Sequence, residues 1–150
     1  MVLYRRNFVP GGTYFFTVTL ADRTSSALVD HVSALRMAFR IARQERPFTI
    51  DAIVILPEHL HAIWALPPGD SDFSGRWRRI KAHFTHRLVA AGVPVERHRN
   101  GEYALWQRRF WEHMIRNEID FERHVDYVHF NPVKHRLVSR ARDWPCSSFH

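Results

Sequence analysis

Two histidines lie one residue apart, His59 and His61, at the end of an apolar run that begins at Val54. In a β-strand, alternate side chains share a face, so the two imidazoles would point the same way, about 7 Å apart along the strand. Two imidazoles on one face can hold a divalent cation if a third ligand arrives from elsewhere. Because the chain contains 11 histidines, chance can also supply such a pair. The pair therefore indicates chemistry only if other residues complete a site.

A second group of polar residues lies further along the chain, where a helix is predicted. His124, Tyr127 and Asn131 recur at spacings that place them on one helical face. Two imidazoles and an amide oxygen would bind Mg²⁺ or Mn²⁺, the cation would polarise a phosphodiester, and the phenol oxygen of Tyr127 would attack phosphorus. A helical tyrosine is more often a packing residue, and Asn131 could simply cap the helix before Pro132. The functional hypothesis is a shared metal and tyrosine site.

Hydrophobic periodicity predicts the elements that must bring these two groups together. They are a strand over 13–20, a helix over 27–44, strands over 48–56 and 59–66, a helix from Ser74, a strand over 103–111 and a helix after Asn117 that ends near Phe130, before Pro132. The strand over 59–66 carries apolar residues on the face opposite the histidines, which predicts a central position buried on both sides. This order is typical of the α+β ferredoxin-like fold, a split βαβ with a central antiparallel sheet and, here, the tyrosine on the C-terminal helix. No linker or repeat divides the chain, so we expect one domain over 1–150.

Charge points to a nucleic-acid partner. The chain of 150 residues carries 22 basic and 15 acidic residues, for a net charge of +7, and arginine greatly outnumbers lysine. Guanidinium groups bind phosphate with two hydrogen bonds at once, so nucleic acid is the expected partner and an anionic membrane surface is the alternative. The residues expected to contact DNA are Arg5, Arg6, Arg76, Arg79, Lys81, Arg87, Arg108 and Arg109. An ordinary solvated surface would show the same charges, so charge alone does not indicate catalysis.

Cysteine content and hydropathy exclude other classes of protein. The single cysteine, Cys146, excludes an internal disulfide and favours a reducing compartment. No apolar stretch approaches the roughly 20 residues of a membrane-spanning helix, and no signal-peptide core follows the N-terminus. We therefore expect a cytoplasmic, nucleoid-associated protein with no membrane partner.

Seven short blocks of the sequence resemble those of one bacterial family. They are YRR at 4–6, GGTYF at 11–15, LPEHLHAIW at 56–64, RWR at 76–78, WQRRFWEH at 106–113, DYVHFNPVKH at 126–135 and DWP at 143–145. Together they resemble the REP-associated tyrosine transposases, single-strand DNA transposases of the HUH superfamily, which is defined by a His-hydrophobic-His motif. Each block is weak by itself, but the blocks span nearly the whole chain in the right order.

The resemblance implies a ferredoxin-like fold and a role for each part of the site. It implies that His59 and His61 bind Mg²⁺ or Mn²⁺ and that Asn131 supplies the third ligand. Tyr127 matches the nucleophile. The implied reaction cleaves single-stranded DNA next to a REP-type hairpin, keeps the 5′-phosphate on the tyrosine and releases a 3′-hydroxyl; attack by another 3′-hydroxyl rejoins strands without ATP. The implied partner is single-stranded or hairpin DNA, bound by a monomer or a homodimer.

Two positions depart from the family pattern, and two other functions stay open. Arg136 stands where glycine is expected, and Cys146 stands where an aromatic residue usually follows Trp-Pro. His113 and His129 lie in family-like blocks and are expected to be structural or to face DNA. One alternative function is a sequence-specific hairpin-binding protein with little or no catalysis. The other is an HUH nuclease of replication initiation or plasmid transfer, against which the short chain without a helicase or primase segment argues.

Overall fold

The computed structural model describes residues 8–150, so Arg5 and Arg6, two of the expected DNA contacts, lie outside the described residues. The strands are β1 (Thr13–Thr19), β2 (Thr49–Ile55), β3 (His59–Ala65) and β4 (Trp111–Met114). The helices are α1 (Ala27–Asp30), α2 (Val32–Glu45), α3 (Phe73–Ala90) and α4 (Glu118–Lys134), and a short 3-10 helix (Ala141–Asp143) follows α4. The predicted helix over 27–44 is divided at His31, whose dihedrals, φ −118° and ψ 37°, interrupt the α-helical path. Among the described residues, no helix is both long enough and apolar enough to span a membrane.

The four strands form one antiparallel sheet in the order β2-β3-β1-β4. β3 pairs with β2 on one side and with β1 on the other, so it lies inside the sheet, as its sequence predicts. α2 and α3 cover one face of the sheet, and α4 covers the other. β1 and β2 run parallel on either side of β3, which is the split βαβ arrangement of a ferredoxin-like fold. The predicted fold class is confirmed.

The pleat of β3 separates the apolar core from the polar site. Trp64 and its alternate neighbours pack against α2 and α3, where Trp64 stacks on Trp77 with ring centroids 4.2 Å apart. Residues of the other parity face α4, and Ile63 belongs to the apolar cluster that contains Val128 of α4. His61 shares the parity of Ile63 and therefore points toward α4.

Arg76, near the beginning of α3, is buried, and its hydrogen bonds hold the helix against the core. Its side chain is 1% exposed, and its guanidinium donates to both carboxylate oxygens of Asp70, at 2.9 and 2.8 Å. It also donates to the backbone carbonyls of Arg46 and Pro47. The paired guanidinium holds the pKa of the Asp70 carboxyl well below its usual range. This corrects the expectation that Arg76 contacts DNA, because a buried charge with these partners cannot also reach a phosphate.

The fourth strand lies later in the chain than predicted. It is Trp111–Met114, paired with β1, and not the predicted 103–111. Tyr103 and Trp106 form only isolated bridges, to Arg97 and Leu20 respectively. Trp106 and Phe110 pack against the core from a loop, so the aromatic residues of this stretch do not require a strand.

α4 continues past its predicted end, through Pro132, and ends at Lys134. Proline removes a single hydrogen bond, which a long helix close to its end can lose. The helix closes with a Schellman motif, in which the N–H of Leu137 donates to the Pro132 carbonyl and the N–H of Arg136 to the Val133 carbonyl, each at 2.9 Å. This closure puts Arg136 at φ 59°, in the left-handed region that favours glycine. The family-like blocks also lead us to expect glycine at position 136.

We predict that Arg136→Gly raises the free energy of unfolding by about 1 kcal/mol. A non-glycine residue in the left-handed region costs roughly 1–2 kcal/mol, and glycine removes this cost. Part of the gain is offset because glycine also increases the conformational entropy of the unfolded chain. Urea unfolding followed by circular dichroism measures the change. Arg140→Gly is the matched control, since Arg140 has ordinary extended dihedrals, φ −134° and ψ 141°, and should lose stability. Equal effects of the two substitutions would contradict the assignment of strain to residue 136.

Candidate active site

β3 presents two nearly buried histidines to α4. The exposed fraction is 6% for His59 and 3% for His61, and their ring centroids lie 5.0 Å apart. Each ring is held through Nδ1. Nδ1 of His61 is hydrogen-bonded to Thr17 Oγ1 at 2.8 Å, and Nδ1 of His59 donates to Glu58 Oε1 at 2.6 Å. These contacts leave Nε2 of each ring as the nitrogen that can bind a ligand.

The imidazole of His61 is neutral at physiological pH. Burial is the main cause, and the neighbouring charges of His59, His135 and Lys134 add to it, so the pKa of His61 falls from 6.5 to about 3. Nε2 is buried and has no hydrogen-bond partner among the described residues. A neutral imidazole with an available lone pair is the form that binds a metal ion.

α4 faces the histidine pair with residues spaced i, i+4 and i+8. The ring of Tyr127 meets that of His61 with centroids 5.2 Å apart, and the ring of His135 meets that of His59 at 5.2 Å. Asn131 lies between Tyr127 and His135 on the same helical face, so it lies opposite the gap between the two histidines. Its side chain is fully buried, and within the described part of the chain neither its amide oxygen nor its amide nitrogen has a hydrogen-bond partner.

The donor atoms of this cluster fit a divalent cation. Leaving a buried polar atom unpaired costs roughly 1–3 kcal/mol, and both His61 Nε2 and the Asn131 amide are unpaired among the described residues. Imidazole nitrogen suits several divalent transition metals, and amide oxygen suits Mg²⁺ and Mn²⁺. A cation held by His59, His61 and Asn131 would satisfy polar atoms of His61 and Asn131 that have no partner among residues 8–150.

Lys134 and His135 belong to this cluster, although the sequence interpretation omits them. Nζ of Lys134 donates to the phenol oxygen of Tyr127 at 3.4 Å and lies 4.9 Å from the centre of its ring. Burial lowers the pKa of His135, and the nearby His59 lowers it further. The sequence feature that could have identified Lys134 and His135 is their spacing of about two helical turns from Tyr127. Pro132 hides that signal, because it predicts an earlier end of the helix.

A second group of potential metal ligands lies at the beginning of α4. Ligand atoms of His113, Asp120 and His124 all lie within 4.8 Å of one another. The Asp120 carboxylate joins the two rings, at 2.8 Å from His113 Nε2 and 3.2 Å from His124 Nδ1. It also accepts from the backbone N–H of Arg116 at 3.0 Å. The three side chains could hold a metal ion, and their mutual contacts also tie β4 to α4.

Comparison with known proteins decides the family. No family model matches the chain. The sequence is 51% identical over 147 residues to the REP-associated tyrosine transposase of Escherichia coli (strain K12), a match that covers 98% of this chain and 82% of that protein. This chain belongs to the REP-associated tyrosine transposases. A protein of Haemophilus influenzae (strain ATCC 51907 / DSM 11121 / KW20 / Rd), named "Putative REP-associated tyrosine transposase", is 44% identical over 149 residues, covering 98% of this chain and 85% of the relative.

A solved structure agrees with this membership. It is that of a REP-associated tyrosine transposase bound to a REP hairpin, which superposes with a TM-score of 0.88 at 50% identity and covers 100% of this chain and 84% of that chain. The resemblance that the sequence blocks carry is thus confirmed for both family and fold.

Most of the basic residues predicted to contact DNA lie on α3 and on the loop before β4. In this family member, the exposed ones within the described residues are Arg79, Arg87, Arg108 and Arg109. Arg79 is paired with Glu45 at 3.3 Å, and Lys81 donates to the carbonyl of Gln107.

A groove of about 390 Å³ between α3 and the loop is lined by the basic side chains of Arg78, Lys81, His86, His98 and Arg108, among others. α3 and α4 cover opposite faces of the sheet, so DNA that reaches both the groove and Tyr127 must pass around an edge of the sheet.

We predict that the ring protons of His61 in the transposase do not shift in NMR spectra between about pH 5 and 8 in chelator-treated protein, because the folded-state pKa is about 3. In urea-unfolded protein the ring should titrate at about 6.5. The unfolded chain therefore binds more protons between these two values. His61 contributes its full stabilisation above about pH 6.5, and this stabilisation is lost progressively as the pH falls toward 3. A folded-state titration near the unfolded value would show that His61 is solvated rather than buried.

Proposed function

We propose that this protein is a metal-dependent, HUH-type tyrosine transposase, a DNA strand transferase that cleaves and rejoins single-stranded DNA next to REP-type hairpins. The observation that carries the proposal is the position of the Tyr127 ring, 5.2 Å from that of His61 and beside buried polar atoms with no hydrogen-bond partner among the described residues. The complex of the solved relative with a REP hairpin supports the class of DNA. Residues 1–150 would act as a single HUH domain.

His59, His61 and Asn131 would hold the cation, Mg²⁺ or Mn²⁺. When bound, it supplies a Lewis acid that polarises a phosphodiester oxygen. The contribution of the protein is to hold the ligands rigidly. Glu58, in the turn before β3, orients the ring of His59, and Thr17, on β1, orients that of His61. Such outer partners set the tautomer and the direction of the ligating nitrogen.

Tyr127 would supply the nucleophile. Its phenol oxygen forms a bond to phosphorus as the bond from phosphorus to the 3′-oxygen breaks; the phenol loses a proton and the leaving 3′-oxygen gains one. The 5′-phosphate stays on the tyrosine. Attack by a different 3′-hydroxyl reverses the step and joins two strands, and no ATP is needed because the phosphoester bond is conserved. Tyr127 is 37% exposed, so a DNA strand can reach its oxygen from solvent.

Lys134 would assist at the same oxygen. Its ammonium group donates to the phenol oxygen at 3.4 Å and lies over the ring. Negative charge develops on the phenol oxygen and on the attacked phosphate during the transfer. A fixed positive charge next to both groups offsets it without reorganisation of solvent.

The proposal is tested by a covalent adduct on a denaturing gel. The protein is incubated with Mg²⁺ or Mn²⁺ and a labelled REP hairpin that carries single-stranded extensions. We expect an adduct with the unmodified protein and none with Tyr127→Phe, with His59→Ala or in excess EDTA. Tyr103→Phe is the matched control, because the hydroxyl of Tyr103 contacts Arg97 in the loop before β4, away from the histidine pair.

Two results would redirect the proposal. An adduct that persists in Tyr127→Phe would exclude Tyr127 as the nucleophile. Tight binding of the hairpin with no adduct in either metal would favour a hairpin-binding protein without catalysis. Tyr127→Phe loses only a hydroxyl, so it should still bind the hairpin with nearly unchanged affinity.

We predict that Lys134→Met slows adduct formation by roughly 10²-fold, the effect of removing one donor from a developing negative charge. Hairpin affinity should change little. Lys134→Arg keeps the positive charge and should recover part of the rate. Single-turnover time courses measure the rate, and filter binding measures the affinity. Equal losses of rate and affinity would assign Lys134 to DNA binding alone.

A further inference from the structure

A pocket of about 370 Å³ opens beside Tyr127 on the α4 face of the sheet. Its lining residues are Phe15, Thr17, Trp111, Arg123, His124 and Tyr127. We propose that this pocket binds one unstacked nucleobase of the single-stranded DNA that flanks the cleaved phosphate. The inference rests on the proposed function, because it takes DNA as the substrate of Tyr127.

The pairing of β1 with β4 builds the aromatic walls of the pocket. Thr17 pairs with Trp111, and Phe15, two residues earlier on β1, points to the same face of the sheet. Trp111 lies on β4, the edge strand of the described sheet, and its exposed fraction is 56%. An exposed aromatic ring at the edge of a sheet is a surface on which any base can stack.

Two basic side chains supply hydrogen-bonding groups to the same pocket. Nδ1 of His124 is held by Asp120, through the backbone carbonyl at 2.8 Å and the carboxylate at 3.2 Å. The ring therefore offers Nε2 to a ligand. Arg123 adds a guanidinium that can donate to the acceptor edge of a base or to its phosphate. Aromatic walls with a few polar groups are the usual composition of a site for a planar polar ligand.

Phe15 connects this pocket to the proposed reaction centre. Its ring stacks on His61 with centroids 5.4 Å apart and meets the edge of the Tyr127 ring at 5.8 Å. It also meets the ring of His124, with centroids 4.9 Å apart. A base seated against these rings would belong to a nucleotide next to the phosphate that Tyr127 attacks. Its binding would set the register of the strand at the phenol oxygen.

The pocket would distinguish unpaired from paired DNA. Both faces of a base inside a duplex are stacked on neighbouring bases, so neither face is available to Trp111. An unpaired base can turn out of the strand at a lower cost. The pocket therefore fits the single-stranded flank of the hairpin and not its stem.

Photochemical cross-linking tests which bases reach the pocket. Tyr127→Phe is used throughout, so that no strand is cleaved. A REP hairpin with a single-stranded extension carries 5-iododeoxyuridine at one position at a time, and ultraviolet cross-links are mapped by mass spectrometry. We expect one position of the extension to cross-link to Trp111 or His124, and no position of the stem to do so.

Affinity measurements give a second, independent readout. On the Tyr127→Phe background, Trp111→Ala should weaken binding of the extended hairpin by about 5- to 150-fold, the range for one base–aromatic stack. Binding of the bare hairpin should not change. Trp111→Phe should keep most of the affinity, because it retains an aromatic face. Phe149→Ala removes another exposed aromatic side chain, outside the pocket, and should have no effect.

Cross-links confined to Tyr103 or Trp106 would overturn the pocket, as would equal weakening of the bare and extended hairpins by Trp111→Ala. These readouts do not depend on catalysis. If the unmodified protein forms no adduct but Trp111 cross-links to the extension, the pocket stands and the proposed reaction fails. If an adduct forms and Trp111→Ala changes nothing, the pocket fails alone.

Discussion

The burial of β3 on both faces is the constraint on which the rest of the structure depends. Because side chains alternate across a strand, one short segment carries part of the apolar core on one face and the two histidines on the other. His61 and Trp64 lie on the same strand, so a shift of β3 relative to α4 would also disturb the stack of Trp64 on Trp77. That packing offsets the cost of the polar atoms of His61 and Asn131 that find no partner in the described part of the chain. Native proteins keep such atoms mainly at functional sites, where a ligand completes them.

α4 contributes side chains to three separate features of the molecule along its length. Asp120 in its first turn joins the second histidine cluster, Tyr127 faces β3 and the pocket, and Lys134 in its last turn reaches back to the phenol oxygen. This arrangement requires a helix that continues through Pro132. Its Schellman closure then forces Arg136 into the left-handed region. The strained backbone at that position is thus a consequence of the same helix end that places Lys134 in the site.

Features that depend on the periodicity of a single element could be predicted from the sequence. The alternation of apolar residues around His59 and His61 predicted both their common face and the central position of β3, because a strand has a period of two. The spacing of Tyr127 and Asn131 predicted a common helical face for the same reason, with a period of 3.6. The order of elements then led to the ferredoxin-like fold, and the blocks along the chain led to the family. These inferences needed no knowledge of which distant segments touch.

The amino-acid sequence by itself therefore determined most of the elements, the fold class, the family and the two halves of the candidate site. Only the tertiary structure decided where β4 pairs, how far α4 extends and that Arg76 is buried against Asp70. It alone brought together the residues around Trp111 that form the pocket. The physical reason is that these features are contacts between segments far apart in the chain. Local periodicity carries no information about them until β4 has paired with β1 and α4 has packed across the sheet.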